Sequence, residues 1–169
     1  MSQGQVYVLG ARSQQRLSSC HPDLIEVVDL AIQVTSVDFT VLEGARSEAH
    51  QKRLFQQAKS KTLNSRHLPK VPKNKPELGP VSHAVDLGAW VNGTVNWDWP
   101  NYFEIANSMK AAAEYLNVPI RWGGCWCLMD QYDNAEQAYY AYIKRKQAKG
   151  KTPFPDGPHF ELDWGAYPV

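Results

Sequence analysis

The stretch Ser65–Leu87 reads SRHLPKVPKNKPELGPVSHAVDL and places two histidines and one aspartate around a segment rich in proline and lysine. Asp86 is three residues after His83 and nineteen after His67, so either histidine is a candidate to share a metal ion with it. In an extended chain, an odd separation places His83 and Asp86 on opposite faces. This parity favours His67. If His67 is the partner of Asp86, residues 68–82 are an inserted loop on the rim of a site. Such an insertion is tolerated, because lengthening a loop adds little to the free energy of closing it.

The composition is that of one globular domain spanning residues 1–169, with 43% hydrophobic residues and a formal net charge of +1. No apolar run is long enough for a membrane span, and the N-terminus lacks the pattern of a secretory signal. We therefore expect synthesis in a cytosol, no membrane insertion and a monomer. The three cysteines (Cys20, Cys125 and Cys127) are expected to be free thiols in that compartment.

The pattern of the sequence predicts an α+β fold, with a small antiparallel sheet flanked by helices. Strands are predicted at residues 37–42, 84–91, 120–122 and 159–162. Helices are predicted from Pro22 onward, at 47–59, at 101–116 and at about 134–149. The helix near 134–149 is expected to be a second insertion. Basic runs at 59–75 and 144–151 are interpreted as solvated charge, and no nucleic-acid-binding module is recognisable.

Three segments concentrate side chains that bind metals: Ser65–His67, His83–Asp86 and Asp156–Glu161. Two histidines and one aspartate are a ligand set that zinc accepts, with one position left for water. A further carboxylate is then needed to carry the proton of that water to the leaving amine. Neither HExxH nor HxxEH is present, and spacing alone favours an ordinary hydrogen-bonded role for each histidine.

Six short motifs, in chain order, carry a resemblance to known enzymes: HPDL, VDFTVLEGARS, SRH, AVDL, RWGG and DGPHFEL. The chain resembles the superfamily of D-alanyl-D-alanine carboxypeptidases and L-alanyl-D-glutamate endopeptidases, and within it the phage endolysins that cut the peptide stems of peptidoglycan. The resemblance covers residues 21–162. It implies a Zn²⁺-dependent hydrolase whose substrate is peptidoglycan.

The resemblance also implies roles for individual residues around the metal. It makes His67, Asp86 and His159 the Zn²⁺ ligands. It makes Asp156 the carboxylate that acts as general acid and base, with Glu161 the next candidate for that role. His83 is then a packing residue or an outer partner of the site.

Away from the metal, the resemblance makes Arg46 a catalytic and substrate-binding residue that stabilises the oxyanion or holds a substrate carboxylate. Ser65 is implied to bind substrate. The sequence departs from the family pattern in the long gap after the first histidine, and in two residues: Ser82 replaces a glycine, and Cys125 stands where many relatives have aspartate.

The activity implied is that of an L-alanyl-D-glutamate endopeptidase serving as a phage endolysin. Such an enzyme is made in the host cytoplasm and reaches the periplasmic wall after a holin opens the membrane. A D-alanyl-D-alanine carboxypeptidase on the same site is the alternative, because sequence does not show the shape of the pocket. A non-catalytic module that binds cell wall or zinc is a third hypothesis, and the presence of Asp156 argues against it.

Overall fold

The computed structural model describes residues 4–169, which form five α-helices and six β-strands. The helices are α1 (Ala11–Leu17), α2 (Pro22–Val34), α3 (Glu48–Gln56), α4 (Trp99–Leu116) and α5 (Ala135–Ala148). The strands are β1 (Phe39–Glu43), β2 (Ala84–Val91), β3 (Thr94–Asn96), β4 (Ile120–Trp122), β5 (Cys127–Leu128) and β6 (His159–Leu162). The predicted α+β class is confirmed.

The strands form one sheet in the order β1-β2-β6-β4-β5, with β3 paired to β2, and all of these pairs are antiparallel. The register of the β2–β6 pair sets Asp86 opposite His159. The register of the β1–β2 pair brings Glu43 to the other side of Asp86. The sheet therefore brings together three polar residues that are far apart in the sequence.

Helices α2 and α4 pack against each other, and α4 also contacts β2 and β4. Helix α2 buries five residues at helical spacing: Leu24, Val27, Val28, Ala31 and Ile32. This repeat of three and four residues gives the helix one apolar face, as its sequence predicts. Within residues 4–169, no helix is both long and apolar enough to cross a bilayer.

Helix starts follow the predicted capping residues. The Ser47 hydroxyl accepts a hydrogen bond from the amide of His50, and the Asn134 side chain accepts one from the amide of Gln137. The predicted bounds of α5, β2, β4 and β6 are close to those observed. Three short elements, α1, β3 and β5, were not predicted from the sequence.

The loop 68–82 packs on the C-terminal tail. The amide of Lys73 donates to the carbonyl of Pro168 at 2.9 Å, and the side chain of Asn74 donates to the carbonyl of Ala166 at 3.3 Å. A bridge between Lys70 and Val81 closes the base of the loop and directs it towards that tail. This position differs from the expected one on the rim, because no residue of the loop lines the cleft, whereas several residues just before His67 do.

The expectation of three free thiols is wrong for two of the cysteines. Cys125 and Cys127 form a disulfide, and Cys20 is free and buried. Trp126 between the pair has a left-handed backbone with φ of 48°, a tight turn that brings the flanking sulfurs together. Burial raises the pKa of the Cys20 thiol to about 12, so this residue acts as a small apolar core residue.

Candidate metal centre

Three side chains from separate elements meet at one point beside the centre of the sheet. The Oδ1 atom of Asp86 lies 3.0 Å from Nε2 of His67 and 3.2 Å from Nδ1 of His159. The two ring nitrogens are 3.2 Å apart. The structure therefore brings together the three residues that the resemblance implies as ligands.

Local structure explains how each side chain reaches this point. Asp86 and His159 face each other across the β2–β6 pair. His67 comes from a turn, in which its amide donates to the Ser65 hydroxyl at 3.2 Å and the amide of Leu68 donates to the Ser65 carbonyl at 3.1 Å. Ser65 thus shapes the turn that aims His67 inward, and it also lines the cleft.

The outer nitrogen of each imidazole is held by an acceptor. Nδ1 of His67 donates to the carbonyl of Gly44 at 2.7 Å, and Nε2 of His159 donates to Glu161 at 3.3 Å. A neutral histidine carries a proton on only one nitrogen, so the lone pairs of the inner nitrogens point at each other and at the Asp86 carboxylate. Three electron-pair donors at this distance repel one another unless a cation lies between them.

The pKa values of the site also indicate that positive charge is favoured between the three donors. Burial opposes the charge on His159, but hydrogen bonds to Asp86 and Glu161 raise its pKa to about 10. Burial also opposes ionisation of Asp86, but the neighbouring imidazoles of His67 and His159 lower its pKa well below the usual range. The carboxylates therefore stabilise positive charge at this point, whether a proton or a metal ion supplies it.

The donor set fits zinc. With bonds of about 2.0–2.2 Å, ligand atoms at the corners of a tetrahedron lie about 3.3–3.6 Å apart, which is close to the separations found here. Two imidazoles and one carboxylate also leave a fourth position for water. Outer acceptors such as the Gly44 carbonyl and the Glu161 carboxylate are the usual means by which proteins fix the orientation of histidine ligands.

Glu161, the next candidate after Asp156 for the general acid and base, makes a contact with His159 that the sequence did not predict. It lies behind His159 and pairs with Arg121 at 3.4 Å, so its carboxylate faces the outer ring nitrogen. Burial would raise the pKa of Glu161, but the hydrogen bond with His159 lowers it below the usual value. Residues two apart on a strand share a face, so the His-x-Glu spacing was the signal for this contact.

Asp156 lies in the loop before β6 and lines the same cleft as the three donors. Its backbone packs on Gly123, the first glycine of the RWGG motif. A Cβ atom at this position would lie 2.4 Å from the Asp156 carbonyl oxygen, so the close contact requires glycine. The Asp156 carboxylate has no hydrogen-bond partner among residues 4–169. Burial raises its pKa, and the nearby charge of Asp86 raises it further, which favours a carboxyl group that gains and loses a proton.

Arg46 contacts the donor set through the Asp86 carboxylate. It donates two hydrogen bonds of 2.8 Å to Glu43, one of 2.8 Å to Gln51 and one of 3.3 Å to Oδ2 of Asp86. These contacts use four of the five guanidinium N–H groups. The arginine is thus tied to Asp86, and one N–H group is left for other partners in the cleft that it lines.

His83 lies away from the donor set, as strand parity predicts. It is buried, and its ring centroid is 5.5 Å from that of His21. Its Nδ1 donates to the carbonyl of Val81 at 3.2 Å, while Nε2 is buried and has no partner in the part of the chain that the structure describes. The adjacent Ser82, in the position of the family glycine, hydrogen-bonds to the carbonyl of Ala84 at 2.7 Å.

A cleft of about 970 Å³ opens over the donor set. One wall carries Trp126, whose ring centroid is 5.2 Å from that of His159 and whose Nε1 donates to the carbonyl of Phe154 at 2.7 Å. The disulfide flanks this tryptophan on both sides. The cleft is large enough for several residues of a peptide substrate, since small-molecule sites typically occupy about 300–1,000 Å³.

An α+β fold with a His-Asp-His donor set and an unpaired carboxylate beside it is the arrangement of a mononuclear metal-dependent hydrolase. The chain belongs to the phage L-alanyl-D-glutamate peptidase family, whose model matches residues 5–162.

Two relatives agree with this assignment. The chain is 26% identical over 157 residues to the L-alanyl-D-glutamate peptidase of Escherichia phage T5, an alignment that covers 92% of this chain and 98% of the relative. It is also similar to the crystal structure of the L-Ala D-Glu endopeptidase ChiX of Serratia marcescens. That likeness has a TM-score of 0.70 and 32% identity, and it covers 96% of this chain and 95% of ChiX.

Proposed function

We propose that this protein is a zinc-dependent L-alanyl-D-glutamate endopeptidase that hydrolyses the peptide stems of bacterial peptidoglycan. The observation that carries the proposal is the convergence of His67, Asp86 and His159 within 3.2 Å of one another, beside a carboxylate that has no partner in residues 4–169. The match to the peptidase family over residues 5–162 supports the choice of substrate.

Bound by these three donors, zinc would supply Lewis acidity, which lowers the pKa of water and polarises a carbonyl group. Asp156 accepts the proton of the attacking water, because its raised pKa suits a group that must then release this proton. It delivers the proton to the nitrogen of the leaving D-glutamate. Glu161 and the Gly44 carbonyl keep the two imidazoles oriented throughout.

Arg46 has two duties in the proposal. Its hydrogen bond to Oδ2 holds the Asp86 carboxylate so that Oδ1 faces the histidines. We assign its positive charge and its remaining N–H group to the oxyanion that develops on the scissile carbonyl, because Arg46 lines the cleft and a fixed positive charge there stabilises the transition state. Ser65 contributes through the turn that carries His67 and through its place on the cleft wall.

We further propose that the protein serves as an endolysin, made in a host cytoplasm and admitted to the wall when a holin opens the membrane. Membership in a family of phage peptidases supports this proposal. A D-alanyl-D-alanine carboxypeptidase on the same donor set is the second candidate, because it would need the same metal and the same base.

Two measurements test the proposal. Purified peptidoglycan is digested with the protein, and mass spectrometry of the released fragments identifies the new ends. We expect new L-alanine carboxyl ends and new D-glutamate amino ends, and loss of terminal D-alanine alone would establish the carboxypeptidase instead. In parallel, removal of metal by a strong chelator should abolish hydrolysis and one equivalent of zinc should restore it. Full activity in protein shown by elemental analysis to be metal-free would exclude the zinc mechanism.

A further inference from the structure

Two lysine side chains lie over a pair of aromatic rings in the lining of the cleft. The Nζ atom of Lys61 lies 5.0 Å from the ring centroid of Phe154, and Nζ of Lys146 lies 5.7 Å from that of Tyr142. The rings are linked, because the amide of Phe154 donates to the Tyr142 hydroxyl at 3.0 Å. All four residues line the cleft, and we call them the lysine patch.

Neither ammonium group of the lysine patch is neutralised by the protein. Residues 4–169 place no carboxylate in ion-pair contact with Lys61 or Lys146; the lysines that do form such pairs are Lys75 and Lys110. Three acidic residues of the cleft have other partners, since Glu43 and Asp86 pair with Arg46 and Glu161 pairs with Arg121, and the unpaired Asp156 forms no ion pair with either lysine. The patch therefore presents surplus positive charge to whatever occupies the cleft.

Three other features of the patch favour recognition of an anion over simple solvation. The aromatic faces restrict where the ammonium groups lie, and each ammonium group in the cleft lining has N–H donors to offer a ligand. Lys146 is only partly exposed, on the cleft-facing side of α5. Phe154 stands two residues before Asp156, and the patch and this proposed proton carrier line the same cleft.

The proposed substrate has an anion in a matching place. A glutamate residue within a chain uses one carboxyl group in its next amide bond and keeps the other free. In an L-alanyl-D-glutamyl bond, that free carboxylate belongs to the residue whose nitrogen is the leaving group. It must therefore lie in the cleft close to Asp156 when the bond is cut.

We propose that Lys61 and Lys146 form a subsite that binds the free carboxylate of the D-glutamate residue, and that this subsite makes the enzyme selective for a charged residue after the scissile bond. The inference rests on the proposed endopeptidase function and adds to it the determinants of specificity. Tyr142 and Phe154 act as positioning residues that hold the ammonium groups at the wall of the cleft.

The test uses the zinc-loaded full-length protein and two synthetic peptides with an L-alanyl-D-glutamyl bond. The peptides are identical except that one carries the free carboxylate of the glutamate and the other a carboxamide of the same shape. Three variants are compared with wild type. The double methionine variant carries Lys61→Met and Lys146→Met, and the double arginine variant carries arginine at both positions. Lys144→Met is the control. Lys144 is an exposed residue of α5 that does not line the cleft.

We expect wild-type enzyme to prefer the carboxylate peptide by about tenfold or more in kcat/KM, the scale expected of hydrogen bonds to a charged group. The double methionine variant should lose that preference through a higher KM, while its kcat/KM for the carboxamide peptide stays within about twofold of wild type. The double arginine variant should retain most of the preference, because the positive charge is kept. Lys144→Met should behave as wild type.

Several results would contradict the proposal that the two lysines form this subsite. They are an equal loss on both peptides in the double methionine variant, a wild-type enzyme indifferent to the carboxylate, and a Lys144→Met effect as large as that of the double variant. If wild-type enzyme cleaves neither peptide at the alanyl–glutamyl bond, the proposed function itself fails and the subsite fails with it. Cleavage of both peptides at equal rates refutes the subsite alone.

Discussion

The Nδ1–H group of His67 donates a hydrogen bond to the carbonyl of Gly44 at 2.7 Å. A carbonyl only accepts, so this contact fixes the proton on Nδ1 and leaves the lone pair of Nε2 directed at Asp86. Gly44 itself leaves no room for a larger residue, since a side chain there would approach the carbonyl of Arg16 to 2.4 Å. The turn after β1 thus prepares His67 to bind a metal ion.

The first prediction compares the two histidines of the stretch Ser65–Leu87. His67→Ala removes one of three donors, so zinc content after gel filtration should fall close to zero and hydrolysis with it. His83→Ala should retain one zinc per chain, because His83 contacts Val81 and His21 and none of the donors. Zinc is measured by elemental analysis, with circular dichroism to show that both variants are folded. Loss of zinc from His83→Ala alone would reverse the assignment.

The second prediction separates metal binding from proton transfer. Asp156→Asn should keep its zinc and its melting temperature, yet lose at least about a hundredfold in kcat, the usual scale of general acid–base catalysis. Asp133→Asn, an exposed residue that does not line the cleft, is the matched control and should leave kcat unchanged. An Asp156→Asn protein that no longer holds zinc would make Asp156 a ligand.

The third prediction concerns the outer partner of His159. Glu161→Leu removes the acceptor for Nε2–H and should weaken zinc affinity about ten- to a hundredfold. Glu161→Gln keeps a neutral acceptor at the same place and should weaken zinc affinity less than Glu161→Leu does. Competition with a fluorescent zinc chelator measures both. A Glu161→Gln enzyme with full zinc content but no turnover would instead make Glu161 the proton carrier.

Much of the fold follows from local sequence. Strand β2 and helix α5 were predicted with bounds close to those observed, because alternation of apolar residues and capping side chains are local signals. Strand parity also placed His83 away from Asp86. Strands β3 and β5 have only three and two residues, too few for an alternating pattern to be distinguished from a loop.

The remaining features depend on tertiary contacts. The sequence does not show that Arg46 pairs with Glu43 and Gln51, because these contacts depend on how the turn after β1 meets α3. The path of loop 68–82 depends on hydrogen bonds to a tail almost a hundred residues later. The disulfide between Cys125 and Cys127 depends on the left-handed backbone at Trp126, which residue type alone does not predict.

The last prediction concerns stability and pH. Burial lowers the pKa of His83 from 6.5 to about 4, and the positive charges of Arg66 and His21 act in the same direction. The unfolded chain therefore takes up a proton at this residue between pH 6.5 and 4, while the folded protein does not. Stability contributed by the neutral His83 is present above pH 6.5 and is lost as the pH falls through that window, by roughly 3 kcal/mol at pH 4.

His83→Asn isolates this effect, because the asparagine amide can still donate to the carbonyl of Val81 but does not titrate in this range. Urea unfolding of both metal-free proteins from pH 7.5 to pH 4 gives the difference in free energy of unfolding. We expect wild type to lose roughly 3 kcal/mol relative to His83→Asn over that range, with most of the change below pH 6. A difference that stays constant with pH would show that His83 is protonated in the folded protein as readily as in the unfolded chain. Its buried Nε2 would then have a partner that compensates the charge.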